Sequence, residues 1–258
     1  MNKLFFKTKD GLMYYKYICN DGIEKTLVFL HGWGTNNETF KNVVNKLNND
    51  FNILLVDFLG FGESDSPLSF LSLDDYTNHI YKLLLHLKIE KPILVGHSFG
   101  GRVSINFASK YEYEKVFVCG SPAFKNMSIS YYLRVLGYKI KKNFYRIINK
   151  KKYYDLIQKS GSTDYKACNY YMKGTFKKII RTDLRKELES INKDCKDNNF
   201  IIFSSVNDSE VKYKDQIEMY KITKGSKLYP FYNSDHFMYI TEEEKFIRLL
   251  KKEIMNYD

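Results

Sequence analysis

The feature that most constrains the fold is a regular alternation of short apolar runs with segments of helical spacing. Four such runs precede residue 122, namely TLVFLH (26–31), NILLVD (52–57), PILVGH (92–97) and KVFVCGS (115–121). They lack strict apolar/polar alternation, as expected of strands that are buried on both faces of a parallel sheet. Helical spacing fills the intervals at 40–47, 73–88 and 101–110. The pattern predicts an α/β fold in which helices flank a mostly parallel sheet.

The same pattern resumes in the last quarter of the chain. FIIFSSV (200–206) and KLYPFY (227–232) are the next apolar runs, and helical segments follow each of them, around 210–222 and 242–256. At the other end of the chain, LFFKT (4–8) and MYYKYIC (13–19) are joined around Asp10-Gly11 and predict an opening hairpin.

Residues 124–190 interrupt the alternation, and we call them the insertion. They contain no strand-like run, and apolar residues recur in them at steps of three and four, namely Leu133, Leu136, Ile140, Phe144 and Ile147. We therefore predict a core of residues 1–123 and 191–258 with a helical cap at 124–190, after the sixth strand. The residues around Leu133, Leu136 and Ile140 are candidates for contact with a substrate, and ordinary packing of the cap on the core is the alternative.

Positive charge is concentrated in the insertion. It holds 17 Lys and Arg against 5 Asp and Glu, whereas the rest of the chain is nearly neutral with 24 against 25. A solvated lysine surface explains this excess. An acidic carrier protein such as acyl carrier protein would also fit, as would an anionic membrane surface or a nucleic acid. We favour the solvated surface, keep an acidic carrier protein as the candidate partner, and expect no nucleic acid.

Composition excludes several classes of protein. No apolar run approaches the roughly 18 residues of a membrane span, and MNKLFFKTKDG lacks a secretory apolar region. The four cysteines lie far apart, with no C-x-x-C pair and no cluster of histidines, at Cys19, Cys119, Cys168 and Cys195. We expect a cytoplasmic protein with no membrane span, no metal site and no organic cofactor.

The pentapeptide Gly96-His97-Ser98-Phe99-Gly100 matches the spacing G-x-S-x-G. Between an apolar strand and a helix, this spacing predicts a tight turn that exposes the serine hydroxyl, and the glycines allow close approach of neighbouring backbone. Ser98 is therefore a candidate nucleophile. The alternative is a serine that caps the following helix.

A serine nucleophile needs a base, which is usually an imidazole. His79 and His86 lie on the polar side of a predicted helix and are interpreted as solvated. His97 adjoins the serine and points elsewhere across the turn, and His31 opens the loop HGWG. His236, directly after the strand KLYPFY, remains as the base, with a histidine in a surface turn as the alternative.

The acid that orients the base should follow a strand between the serine and the histidine in the chain. Asp208 comes directly after FIIFSSVN. Asp235 adjoins His236 and could not easily bond its ring, and Asp215 falls within a helical segment. We assign Asp208 as the acid, and the alternative is an aspartate that caps a turn.

Acyl transfer also needs donors for the oxyanion that develops in the transition state. The loop His31-Gly32-Trp33-Gly34 follows a strand and can present the backbone N–H of Trp33. The second donor would be the backbone N–H of Phe99, the residue after the serine. The ring of Trp33 either walls a pocket or fills the core.

The ordered motifs HGWG (31–34), DFLGFGESD (57–65), GHSFGG (96–101), NDSEV (207–211) and SDHF (234–237) resemble the α/β-hydrolase fold family over almost the whole chain. Within that family they are similar to small serine carboxylesterases, including pimeloyl-acyl carrier protein methyl ester esterases, and to C–C bond hydrolases. The resemblance implies Ser98, Asp208 and His236 as a triad, Trp33 and Phe99 as oxyanion donors, and the insertion as the cap.

The expected activity is hydrolysis of a carboxylic ester or thioester of small-molecule size, through an acyl-enzyme on Ser98. A serine at this position disfavours haloalkane dehalogenase and epoxide hydrolase chemistry, which in this family uses an aspartate. Two alternatives remain open. One is a C–C bond hydrolase, and the other is a hydrolase-fold binding or receptor protein with slow or no turnover.

Overall fold

The computed structural model describes residues 3–125, 129–152, 168–191 and 199–255, and for residues 129–136, 139 and 147 it describes the backbone. One sheet of eight strands runs through the molecule in the order β1-β2-β4-β3-β5-β6-β7-β8. The strands are β1 Leu4–Thr8, β2 Gly11–Ile18, β3 Thr26–Leu30, β4 Asn52–Val56, β5 Ile93–His97, β6 Lys115–Cys119, β7 Phe200–Ser205 and β8 Lys227–Phe231. β1 and β2 pair antiparallel, and every pair from β4 to β8 is parallel.

Helices fill the connections between the parallel strands. In the described ranges they are α1 Lys41–Asn45, α2 Leu73–His86, α3 Phe99–Ala108, α4 Ile129–Ile148, α5 Tyr170–Ile179, α6 Arg185–Ile191, α7 Tyr213–Ile222, α8 Met238–Thr241 and α9 Glu243–Met255. The predicted α/β fold with a mostly parallel sheet is confirmed. The sequence pattern did not predict the short helix α8 or the 3-10 turn Asn37–Phe40 that precedes α1.

The apolar strands lack alternation because both faces of the sheet are covered. In β3, Leu27 and Phe29 join the core cluster on one face, whereas Val28 and Leu30 join the cluster on the other. All five residues of this strand are buried. A strand with one solvated face would have alternated with polar residues.

The order of the strands positions a site at one edge of the sheet. β3 lies between β4 and β5, so the chain leaves β3 toward one side of the sheet and returns to its other side. In such sheets, ligands bind at the carboxyl ends of the strands near this reversal. The loops after β3, β5, β7 and β8 carry the predicted site residues, so all of them begin at the same edge.

The three described helices between β6 and β7 are α4, α5 and α6. A buried arginine of α3 holds the end of α5. The Arg102 guanidinium donates to the carbonyls of Ile179 (2.9 Å) and Thr182 (2.6 Å), and also to that of Pro122, before the insertion begins. Arg102 therefore ties Pro122, just before the insertion, and the end of α5, within the insertion, to the helix that follows Ser98. Burial lowers its pKa to about 10, so it remains a cation at neutral pH.

The interpretation of His79 as a solvated histidine is wrong. Its side chain is buried, and its Nε2 lies 2.9 Å from Oδ2 of Asp10, in the turn between β1 and β2. The polar side of α2 at this position faces the hairpin rather than water. The helical spacing of the sequence cannot reveal this contact, because Asp10 is distant from His79 in the chain.

No helix in the described ranges is both long and apolar enough to cross a lipid bilayer. Within the same ranges, no group of three or more His, Cys, Asp and Glu side chains is placed to hold a metal ion. Cys195 lies outside the described residues.

The helix α3 packs against β3 at a distance that admits only glycine. A Cβ atom added at Gly100 would lie 2.0 Å from the carbonyl oxygen of Leu30, far inside van der Waals contact. The obstacle is strand backbone, which cannot rotate away. Gly100 thus sets how closely the helix after Ser98 approaches the sheet.

We predict that Gly100→Ala lowers the free energy of unfolding by about 2 kcal/mol or more, because the added methyl overpacks a rigid contact. Gly137→Ala in α4 is the matched control, since a Cβ there meets no atom within 4 Å and alanine favours a helix by up to about 1 kcal/mol. Urea unfolding midpoints measure both. Equal midpoints for the two variants would contradict the packing described.

Candidate active site

Ser98 occupies a strained turn between β5 and α3. Its φ of 51° and ψ of −108° lie in a region that residues other than glycine rarely adopt, and such strain costs about 1–3 kcal/mol. The turn is held by a hydrogen bond from the Ser98 N–H to the carbonyl of Cys119, at 2.9 Å. The Ser98 side chain makes no capping hydrogen bond to α3. The alternative of a helix-capping serine is therefore not supported.

The structure brings His236 and Asp208 together. Nδ1 of His236 lies 2.8 Å from Oδ2 of Asp208, and the two side chains are 13% and 1% exposed. Asp208 follows β7 and His236 follows β8, so adjacent parallel strands deliver the pair. A carboxylate accepting from Nδ1–H leaves Nε2 as the nitrogen that can accept a proton.

The environment of Asp208 keeps it ionised. Burial alone would raise the pKa of this carboxyl, but the hydrogen bond with His236 and two backbone N–H groups outweigh burial and lower it. Those N–H groups belong to Val211 (2.9 Å) and Glu210 (2.8 Å), and both donate to Oδ1. The other oxygen remains for the histidine. The Ser-Glu-Val turn thus fixes the carboxylate through its backbone.

The two other aspartates considered for the acid have different roles. Asp235 accepts the N–H of Phe237 at 2.8 Å, and Asp215 lies in the first turn of α7.

Gly120, at the end of β6, borders the same pair. A Cβ there would lie 3.3 Å from Oδ2 of Asp208 and 3.4 Å from Nδ1 of His236. Its φ of 53° also favours glycine. Since the Cys119 carbonyl accepts the N–H of Ser98, the end of β6 contacts both Ser98 and the pair of Asp208 and His236.

The HGWG loop runs beside Ser98. A Cβ at Gly32 would lie 3.5 Å from Cβ of Ser98. The carbonyl of Gly32 faces Nδ1 of His31 (2.7 Å) and the hydroxyl of Thr35 (3.0 Å). In a trans peptide the following N–H points opposite to the carbonyl, so these contacts turn the N–H of Trp33 away from them. Phe99 is the first residue of α3, and N–H groups at this position have no intrahelical acceptor.

The ring of Trp33 connects the core with the insertion. It packs against Phe61 (4.9 Å between centroids), Phe99 (5.3 Å) and Phe176 of α5 (5.0 Å). The ring is half-buried and lies between core and insertion, and whether it walls a pocket or fills the core stays open.

Two buried histidines support the loops as neutral groups. Nε2 of His31 accepts the N–H of Phe58 at 3.1 Å, and burial lowers the pKa of His31 to about 4. Nε2 of His97 lies 3.0 Å from the backbone carbonyl of His236 and donates to it. Burial, followed by the neighbouring His236, lowers the pKa of His97 to about 3. His97 thus holds the loop that carries the base.

The prediction that residues around Leu133, Leu136 and Ile140 contact a substrate stays a prediction. Leu133 and Leu136 lie in α4, but their side chains are outside the described residues, and Ile140 is 60% exposed. The insertion residues that do reach the site region are in α5. Phe176 contacts Trp33, and the side chain of Met172 lies against Gly60. The sequence signal that could have identified α5 is its apolar residues at positions 172, 176 and 179, which recur at helical spacing.

Comparison with known proteins identifies the fold. Residues 25–119 match the sequence model of the family described as alpha/beta hydrolase fold. A hydrolase from Pseudomonas aeruginosa superposes with a TM-score of 0.76 at 17% identity, covering 98% of each chain. An enol-lactonase from Burkholderia xenovorans gives 0.75 at 18% identity, covering 98% of this chain and all of that one.

This chain has the alpha/beta-hydrolase fold. The fold indicated by the motifs is thus confirmed. The AB hydrolase superfamily protein YisY of Bacillus subtilis is 26% identical over 89% of this chain and 91% of its own length. An uncharacterized protein of Mycobacterium tuberculosis is 36% identical over 42% of this chain, but the match spans only 31% of that protein.

A relative with a named reaction is the pimeloyl-[acyl-carrier protein] methyl ester esterase of Hamiltonella defensa. It is 32% identical over 114 residues, which are 43% of this chain and 41% of the esterase. A soluble epoxide hydrolase of Corynebacterium is also 32% identical, over 32% of this chain and 29% of that protein. The hydrolase fold is therefore common to relatives with different reactions.

The contact between Asp208 and His236 leads to a mutational prediction. Asp208→Asn removes the negative charge and presents an amide to Nδ1, which favours the wrong tautomer of the histidine. We expect kcat for ester hydrolysis to fall by about 10³–10⁴. Asp215→Asn is the matched control and should keep at least half of the activity. Comparable losses in both variants would contradict the assigned pairing.

A second prediction concerns stability at low pH. His97 in the unfolded chain takes up a proton below about pH 6.5, whereas in the folded protein burial keeps it neutral down to about pH 3. The unfolded state thus binds more protons in this window, so His97 lowers stability as the pH falls, by about 2 kcal/mol between pH 6.5 and 5.

His97→Gln keeps a donor for the carbonyl of His236 but cannot be protonated. The free energy of unfolding from urea titrations at pH 7 and pH 5 should therefore fall by about 2 kcal/mol less in this variant. His86→Gln, at an exposed position of α2, should lose as much stability as the unmodified protein. An identical loss in His97→Gln would refute the buried neutral state.

Proposed function

We propose that this protein is a serine hydrolase that cleaves carboxylic ester or thioester bonds through an acyl-enzyme on Ser98. The observation that carries the proposal is the buried, hydrogen-bonded pair of Asp208 and His236, delivered by neighbouring strands to the edge where Ser98 occupies a strained turn. An ionised acid, an oriented base and a half-buried serine on a strained turn are present here, and nucleophilic acyl transfer requires such a set.

In the first half of the reaction, the Ser98 oxygen attacks the carbonyl carbon of the substrate while Nε2 of His236 accepts the hydroxyl proton. Asp208 stabilises the resulting imidazolium, which then donates its proton to the leaving alcohol or thiol. In the second half, His236 removes a proton from water, the water oxygen attacks the acyl carbon, and Ser98 leaves with a proton returned by His236.

The backbone N–H groups of Trp33 and Phe99 are the proposed donors to the oxyanion. Two contacts fix the carbonyl of Gly32, which turns the N–H of Trp33 away from it. Phe99 begins α3, so its N–H has no acceptor within the helix. Both observations support the assignment. Preorganised donors of this kind contribute several kcal/mol to catalysis.

We propose that residues 124–190 form the cap over this site. The contact of Phe176 with Trp33 and of Met172 with Gly60 supports it, because both join α5 to loops beside Ser98. Aromatic and thioether side chains there favour an apolar acyl or aryl group in the substrate. An acidic carrier protein and a cytoplasmic location remain predictions of the sequence that rest on charge and on composition.

The proposal is tested by steady-state turnover of p-nitrophenyl esters and acyl thioesters of increasing chain length. We expect measurable turnover of the esters, and at least a 10³-fold loss of kcat in Ser98→Ala because the nucleophile is absent. Ser109→Ala, just after α3, is the matched control and should retain turnover.

Turnover that persists in Ser98→Ala would refute the nucleophile. Absence of turnover of every ester and thioester by the unmodified protein would favour a binding protein or a C–C bond hydrolase instead.

A further inference from the structure

Helix α5 presents two chemically different faces. Its inner face is apolar and packed. Met172 and Ile179 are buried, and Thr175 is buried with its hydroxyl accepting the N–H of Leu71 at 2.9 Å. Phe176 on the same side contacts Trp33. This face belongs to the site region already described.

The outer face of α5, together with the loop 66–72, forms a groove of about 790 Å³ that we call the basic groove. Its lining contains four cations and, within the described part of the chain, no carboxylate. The lining residues are Phe70, Ser72, Tyr170, Lys173, Gly174, Lys177, Lys178, Arg181 and Thr182. Such a surface attracts anions.

Large apolar side chains are exposed around the same groove. Leu68 is 81% exposed and Tyr170 is 73% exposed, and Phe70 and Ile180 are also exposed. The loop is fixed rather than loose at this point, because Nζ of Lys178 donates to the carbonyl of Phe70 at 2.7 Å. Exposed apolar side chains and cations therefore lie side by side on a surface whose conformation is defined.

Helix α4 also combines cations with exposed apolar residues. Residues 129–152 contain eight Lys and Arg and no Asp or Glu. On one side of the helix, at steps of four, Ile140, Phe144 (57%) and Ile148 (58%) are exposed, and Lys141, Lys142 and Arg146 lie off this stripe. A cationic helix with an exposed apolar stripe is typical of helices that lie in a membrane interface.

We propose that the basic groove docks on anionic phospholipid membranes, and that α4, which is also cationic with an exposed apolar stripe, is a second element suited to the same surface. The cations would meet the headgroups, and Leu68, Tyr170 and the stripe of α4 would enter the interfacial region. A lipid surface fits better than a nucleic acid or an acidic protein, because exposed aliphatic residues accompany the cations in both elements. No spanning segment is needed for this mode of binding.

The position of the basic groove gives this binding a consequence for the reaction, which rests on the proposed function. The inner face of α5 contacts Trp33, so the docking surface lies one helix away from the loops around Ser98. Docking would hold this side of the site against the lipid. Substrates with an acyl chain that partition into membranes are thus the class supplied to it.

The test separates binding from catalysis by using the full chain with Ser98→Ala. This variant is sedimented with vesicles of phosphatidylcholine alone and with vesicles containing 30 mol% phosphatidylserine. We expect binding to the anionic vesicles, at least fivefold weaker binding to neutral ones, and weakening by 0.5 M NaCl because salt screens the contacts.

Two sets of variants locate the surface. Lys177→Glu with Arg181→Glu should lower vesicle affinity about tenfold or more, and Leu68→Ser with Tyr170→Ser should lower it at any salt concentration. Lys91→Glu with Lys224→Glu is the matched control, because both lysines are exposed and precede the amino ends of strands, opposite the site. Urea unfolding midpoints and far-UV circular dichroism of each pair, compared with those of the Ser98→Ala parent, check the fold.

Failure of the protein to sediment with anionic vesicles would overturn the proposal, as would equal loss in the control pair. Binding to RNA or to acyl carrier protein without binding to vesicles would also overturn it. Because the assay uses an inactive variant, none of these results depends on the proposed hydrolase activity.

Discussion

The site depends on one backbone conformation, the turn at Ser98. A φ of 51° at a residue with a side chain persists only where its surroundings impose it. Three contacts do so here. The N–H of Ser98 is bonded to Cys119 of β6, α3 lies against the backbone of β3 at Gly100, and Arg102 anchors the same helix to three carbonyls. The strain is thus held by neighbouring strands and by the base of the insertion.

The parallel sheet explains how residues far apart in the chain meet. Residues 33, 98, 120, 208 and 236 all follow carboxyl ends of parallel strands, in five consecutive positions of the sheet. The supporting groups are kept in one protonation state. His97 stays neutral because it is buried, and Asp208 stays charged because backbone donors and His236 outweigh its burial. In the proposed reaction, little rearrangement would therefore be needed as charge develops at Ser98 and His236.

Much of this arrangement could be predicted from the sequence, because it follows from local patterns. Strand ends place Ser98, Asp208 and His236, and the apolar runs place the strands to within a few residues. Contacts between distant elements could not be predicted. The burial of His79 against Asp10, and the bond from His97 to the carbonyl of His236, arise only when the elements pack. In the sequence, a histidine looks the same whether its imidazole is buried or solvated.

The insertion shows the same limit. Helical spacing predicted its helices, but spacing does not say which surface covers an apolar stripe. Ile140, a candidate for substrate contact or for packing on the core, is exposed, and Phe176 of α5 reaches Trp33. Among the described apolar residues of the longer helix α4, Phe144 and Ile148 are exposed as well.

The central claim is that Ser98 is a nucleophile activated by His236 and Asp208. The most direct measurement is labelling with a fluorophosphonate, followed by mass spectrometry of the peptide that carries the adduct. We expect one adduct per chain, located on Ser98, and a labelling rate that falls at least 100-fold in His236→Ala. Labelling of another residue, or an unchanged rate in His236→Ala, would contradict it.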